Sequence, residues 1–217
     1  MPRASADWRP TIRRAERLLR QGKTRDTIDE LLPALRWRYD TARNQAIAIL
    51  ASVGRRAESD LLHVLRSAKT AVERRSAADA LGLMKSRRAV PPLIRAVRDP
   101  NMVVRRAASL ALLRLRETGA VPRIAALLRD ESGGVRVLAA GVLGRFAHPS
   151  AVPALIRALR DEKWYVRQAA ARALGELRDP RAIPMLRKAR QDARPAVARA
   201  ASEALAAIPE RTSRRRP

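Results

Sequence analysis

The chain repeats itself every 31 residues. Asp99, Asp130, Asp161 and Asp192 stand 31 apart, and so do Val104, Val135, Val166 and Val197. Arg43, Arg74, Arg105, Arg136 and Arg167 form a third column, and Leu50, Leu81, Leu112, Leu143, Leu174 and Leu205 a fourth. Pro91, Pro122, Pro153 and Pro184 mark a fifth. A fixed period of this length means one small supersecondary unit copied along the chain. Such a unit cannot bury its apolar face alone, so each copy must pack on its neighbours into a continuous core.

Each repeat reads as two helices. In "AVPALIRALRD" (151–161), Pro153 suits a first helical turn, where its missing N–H is no loss. Val152, Leu155, Ile156 and Leu159 follow at the spacing of one helix face. Asp161 ends that helix and is placed to cap the next. "YVRQAAARALGEL" (165–177) puts Val166, Ala170, Leu174 and Leu177 on a second face. At roughly 10–13 residues, neither helix would hold alone in water. Hydrophobic residues make up 47% of the chain but aromatics only 3%. That balance suits close-packed helices, not a sandwich or barrel. Ahead of the repeats, "WRPTIRRAERLLRQGK" sets Ile12, Ala15 and Leu19 on one face and Arg13, Arg17 and Arg20 on another. It reads as a helix that caps the first hairpin.

The phrases "AVPxLIRALRD" and "VRxAAAxALGxL", clear from about residue 85 to 208, resemble HEAT repeats. The likeness is to the short kind found in phycobilin lyases and in many bacterial and archaeal proteins. It implies an all-α α-solenoid: a right-handed superhelix of about six antiparallel helix hairpins with an N-terminal capping helix. The boundaries are a basic segment and capping helix at 1–23, an array at 24–208 and a disordered basic tail at 209–217. The hairpins are 24–54 and 55–84, which are degenerate, then 85–115, 116–146, 147–177 and 178–208. The resemblance also implies that the periodic Asp and Arg residues form a structural ladder between neighbouring hairpins. Recurrence in every repeat argues against catalysis, which needs a pair once.

Lys and Arg number 46 against 21 Asp and Glu, for a net charge of +25. The two ends supply +10 of it. Such a field favours acidic partners without choosing among protein, nucleic acid and anionic lipid. Cysteine is absent, which leaves no disulfide or thiolate metal chemistry. The first residues lack the apolar core of a secretory signal, and no run approaches the ~18 apolar residues of a membrane span. A cytoplasmic location is expected. His63 and His148 fall in different parts of the repeat and read as surface or turn residues. "GKT" at 22–24 lacks the first glycine and preceding strand of a phosphate loop. No cofactor, metal or catalytic residue is expected.

In arrays of the family resembled, the residues flanking the Val-Arg pair, and those one turn further on, line the concave surface. Carried over, this gives Arg75, Met102, Val103, Arg106, Leu110, Val137, Leu138, Trp164, Tyr165, Gln168 and Arg172 as partner-binding positions. Ser76 and Ala107 belong to the same columns. Gly133, Gly134 and Gly141 leave the floor of that trough open. Apolar residues with aromatic anchors and an arginine rim suit a protein or peptide groove. On the first helices, Arg95, Arg98, Arg129, Arg157, Arg160 and Lys188 form a convex basic ridge. The function expected is a non-enzymatic scaffold or adaptor that binds an acidic protein partner or peptide, alone or within a larger complex. The alternative is nucleic-acid binding through arginine ridges and tails, although one Trp–Tyr pair gives little to stack bases on. A HEAT-like DNA glycosylase or a bilin-lyase-type enzyme subunit ranks below both. Trp164 and Tyr165 lack a neighbouring carboxylate, since Asp79 and Glu203 lie in other repeats.

Overall fold

A computed structural model describes residues 7–209, so the ends of both basic termini, including the tail read at 209–217 from residue 210 onward, lie outside the described residues. Among those residues the chain is all helical, with no strand, and forms an α-solenoid. It divides into two compact lobes after Leu115.

The N-terminal lobe begins with α1 (Arg9–Arg20), which buries Ile12 and Ala15 against the next helices. Arg13, Arg17 and Arg20 stay exposed, as a capping helix requires. The hairpins follow as α2 (Thr24–Leu31) with α3 (Asp40–Val53), α4 (Arg55–Ser67) with α5 (Ala71–Leu83), and α6 (Val90–Ala96) with α7 (Met102–Arg114). The C-terminal lobe pairs α8 (Val121–Ala126) with α9 (Gly133–Phe146). It continues with α10 (Val152–Ala158) and α11 (Trp164–Leu177), then α12 (Ile183–Ala189) and α13 (Pro195–Ala207). We call the members of each hairpin its first and second helix.

The first helices are shorter than the sequence pattern suggests. From the third hairpin on, each is preceded by a three-residue 3-10 turn, such as Pro149–Ala151 and Pro180–Ala182. In three of the four, the residue before the turn caps it. Ser86 Oγ accepts the Ala89 N–H, His148 Nδ1 the Ser150 N–H, and Asp179 Oδ1 the Arg181 N–H. His148 is thus a turn residue, and His63 is exposed. The periodic prolines take the second helical position, where no intrahelical N–H is needed.

Second helices pack side by side within each lobe: α3 on α5 on α7, and α9 on α11 on α13. Leu50, Leu81, Leu112, Leu143 and Leu174 are fully buried between them. Small residues set their separation. A Cβ on Gly82 would stand 2.8 Å from the Ala111 Cβ, and one on Gly175 would stand 3.0 Å from the Ala204 Cα.

The ladder expected between hairpins is present within both lobes. Arg74 grips Asp99 at 2.8 and 3.0 Å, and Arg167 grips Asp192 at 2.7 and 2.9 Å. Arg136 Nη2 donates to Asp161 at 3.0 Å, with Nε 2.8 Å from the other oxygen. Each arginine also donates to the two carbonyls at the end of its own turn, as Arg167 does to Asp161 and Glu162. The aspartates do not cap the second helices, which start three residues later. Asp161 Oδ1 instead accepts the Lys163 N–H, and Asp192 Oδ1 the Arg194 N–H, shaping the turn before the helix. The hydrogen bond to Asp192 holds the Arg167 guanidinium more firmly protonated, and the same bond pulls Asp192 below the usual carboxylate range.

Candidate functional site

Two kinds of surface emerge along the second helices. In the N-terminal lobe, Arg75 and Asp79 on α5 face Val103, Arg106, Ala107 and Leu110 on α7 across a cleft of about 290 Å³. All six residues belong to the columns singled out in the sequence, Asp79 sharing its column with Leu110, Gly141 and Arg172. Arg75 approaches Asp79 to 3.6 Å, and Arg114, one helical turn beyond Leu110, approaches it to 3.8 Å. Burial pushes the Asp79 carboxyl above its usual range, against the opposing pull of Arg75, Arg114 and Arg106. Arg75 also lies 3.7 Å from Asp40, which pairs with the buried Arg43. Burial and the nearby Arg75 charge together lower the Arg43 affinity for its proton. Positive charge is therefore in excess on this side of the lobe. Sequence reasoning set Asp79 aside because it looked for a carboxylate beside Trp164. It had no signal for Arg114, whose position in other repeats holds Leu83, Arg145 and Glu176.

Within these columns the fold separates some residues from the surface. Ser76 is buried, donating to the Leu35 and Val72 carbonyls, and Ala107 is 3% exposed. The expectation that Ser76 lines an open trough is therefore corrected, while Ala107 contributes only its methyl edge to the cleft. Met102, at the start of α7, is 52% exposed.

The C-terminal lobe offers aromatic and bare surface instead. Trp164 and Tyr165 open α11, 39% and 38% exposed, with ring centres 5.8 Å apart and planes at 79°. This edge-to-face arrangement suits the ring quadrupoles. The Tyr165 ring lies over Gly133, where a Cβ would meet its hydroxyl at 2.6 Å. Gly133 is thus covered and not part of an open floor. A Cβ added at Gly141 would meet nothing within 4 Å, and one at Gly134 only the Ser132 hydroxyl, so both leave α9 accessible. Val137, Leu138 and Gln168 are half-buried. Arg172 is exposed and lines a separate cleft of about 610 Å³ with Glu176, Glu203 and Ala204, between α11 and α13.

The six ridge cations are all exposed. Arg95 and Arg98 border a groove of about 580 Å³ with Arg66, floored by Leu65 and Pro92. Arg129, Arg157 and Arg160 border one of about 220 Å³ floored by Leu128 and Ala154. Lys188 lines neither. A fourth cluster, absent from the sequence reading, surrounds Glu58, which stands where other repeats place a buried alanine. Ser86 Oγ donates to it at 2.5 Å and Arg88 at 3.0 Å, so the fold satisfies this buried charge internally. Among the described residues no group of His, Cys, Asp and Glu could hold a metal ion.

Helix hairpins in register, joined by an Arg–Asp ladder and separated by Gly–Ala contacts, define an α-solenoid built from short repeats. A family profile for HEAT repeats matches residues 58–136 and 121–206. The chain belongs to the HEAT-repeat family. No curated protein sequence matches it. Among solved structures it is similar to the complex of CpcE and CpcF of phycocyanin lyase from Nostoc sp. PCC7120. There the identity is 24%, the TM-score 0.53, and the match covers 80% of this chain and 74% of that one. It is also similar to a designed armadillo repeat protein in complex with the peptide (KR)4, with 20% identity and a TM-score of 0.58, covering 83% and 98% of the two chains. These likenesses establish the fold. Among the described residues no helix is long and apolar enough to cross a membrane.

Proposed function

We propose that the chain is a non-enzymatic scaffold that holds an acidic protein segment against its second helices. The observation that carries this reading is the exposed Trp164–Tyr165 pair beside the open face of α9. Large aromatics are the residues that most often dominate a protein interface, and Trp164 and Tyr165 keep more than a third of their surface in water although the Tyr165 ring also packs over Gly133. The designed armadillo neighbour was solved with a peptide of alternating Lys and Arg on a helical-repeat protein. With a charge of +25 and arginine-lined clefts, this chain calls for a peptide of the opposite sign. The columns named from the sequence are the proposed contacts, and the 24–208 array is the proposed folding unit.

Nucleic-acid binding is the second reading, favoured by two arginine-lined grooves at the ends of the first helices. It ranks second because cations in the last turn of a helix are also stabilised by its dipole. Capture of partners by the full chain at moderate salt, with and without nuclease, separates the two. A protein retained after nuclease, and lost when Trp164 and Tyr165 are replaced by Ala in a chain that still folds, supports the scaffold. Retention that disappears with nuclease, or unfolding of the double variant, overturns it.

A further inference from the structure

The cleft on α5 and α7 is lined by Arg75, Arg106 and the Asp79 carboxylate, and Arg114 stands beside Asp79. Arg75 and Arg114 stand 3.6 and 3.8 Å from Asp79, beyond good hydrogen-bond distance. Arg106 is exposed and makes no ion pair among the described residues. Each guanidinium offers five N–H donors, far more than one aspartate can accept. The remaining wall is apolar, formed by Val103, Ala107 and Leu110. About 290 Å³ is room for a side chain and not for a folded element.

We propose that this cleft receives a glutamate or aspartate side chain of the partner, with Arg106 as its principal ligand and Asp79 as an internal competitor for the same arginines. The inference rests on the reading that the chain binds an acidic protein segment, and it names where one acidic residue is anchored. A guanidinium fork meets a carboxylate through two parallel hydrogen bonds. The apolar wall fits the methylene groups that carry such a carboxylate, whereas a fully hydrated phosphate gains nothing from it. Asp79 already occupies part of the arginine field, and its burial makes that occupation costly. Removing its charge frees Arg75 and Arg114 for the incoming group.

The test titrates the full chain with fluorescently labelled hexaglutamate. Arg106→Glu is expected to weaken binding about tenfold or more, the effect of losing a charge-assisted hydrogen-bonded pair. Arg145→Glu, the same charge change at an exposed position of α9, serves as control and is expected to shift it less than about twofold. Asp79→Asn is expected to tighten binding by more than Glu16→Gln, the same charge removal at an exposed position of α1, does. Circular dichroism of each variant reports folding. Equal weakening by Arg106→Glu and Arg145→Glu, or weaker binding by a folded Asp79→Asn chain, overturns the proposal. If hexaglutamate ignores Arg106 while a protein is still captured through Trp164 and Tyr165, the anchor fails and the scaffold stands. If hexaglutamate follows Arg106 while the aromatic pair proves dispensable, the anchor stands and the aromatic contact fails.

Discussion

The two lobes share one repeat and put opposite chemistry on it. On the second helices of the N-terminal lobe, charged groups crowd a small cleft: Arg75, Asp79, Arg106 and Arg114. At comparable positions the C-terminal lobe carries Val137, Gly141 and Gln168, with Trp164 and Tyr165 leading α11, and charge returns only at Arg172 beside Glu176 and Glu203. The ladder also differs. Arg74, Arg136 and Arg167 each reach an aspartate on the next hairpin, but Arg43 has Ala68 at the matching position and turns to Asp40 on its own helix. Buried framework columns are held constant while the half-buried ones diverge. The framework therefore decides stability, and the divergent columns decide what is bound.

The sharpest way to break this contrast is to remove ladder arginines. Arg136→Ala leaves the largely buried Asp161 without its cation and is expected to cost about 3 kcal/mol or more in chemical denaturation. Arg43→Ala has no cross-hairpin partner to orphan and is expected to cost less. Equal losses would mean that the ladder is not the framework. Next in size come the glycines. Gly82→Ala and Gly175→Ala drive a methyl into a neighbouring helix and are expected to lose about 1–3 kcal/mol. Gly141→Ala, with open space around it, is expected to gain about 0.5–1 kcal/mol.

A smaller effect concerns helix ends. Gly54, Lys85, Arg116, Ala147 and Arg178 are 31 apart, and all take a positive φ after a second helix. Only the first is glycine, so Ala147→Gly is expected to raise stability by up to about 1 kcal/mol. Acid titration should give the subtlest contrast. Asp192 titrates below the usual carboxylate range, so its stabilisation is present above the unfolded value of about 4 and disappears as pH falls through the folded one. Asp79, raised by burial among Arg75, Arg106 and Arg114, has the opposite sign. Its favourable contribution is present below about 4 and is lost as pH rises through the folded value. At neutral pH, Asp192→Asn should destabilise the chain and Asp79→Asn stabilise it, with both differences closing in acid. A neutral-pH loss in Asp79→Asn would mean that the cleft's arginines outweigh burial.

Much of the fold was legible because it repeats. The Leu and Val columns announced hairpins and core, and the resemblance to HEAT repeats implied the Arg–Asp ladder. The positive-φ column was hidden, because four of its five residues carry side chains that usually avoid that conformation and only Gly54 gave a hint. The 3-10 turns were hidden for a similar reason, since Ser86, His148 and Asp179 cap them with three different chemistries. The candidate surface was half legible. The family resemblance pointed to Arg75, Val103, Arg106 and Leu110 but could not weigh Asp79, whose charge matters because Arg114 arrives beside it from a position with no column of its own. Nor could spacing tell that Tyr165 would lie across Gly133, which depends on a side-chain torsion and not on register.

The ladder has a consequence for how such a chain could lengthen or polymerise. Its arginine column ends at Ala198 on α13, and its aspartate column begins only at Asp99, with Ala68 one repeat earlier. In the first hairpin the aspartate position is Trp37, and in the last the arginine position is Ala198. Copies inserted between existing hairpins inherit both halves, whereas copies appended after residue 208 would meet a methyl group. The first two hairpins nonetheless stack, α3 on α5, with Ala68 where the clasp's carboxylate would stand, so the ladder fastens hairpins that apolar packing already brings together.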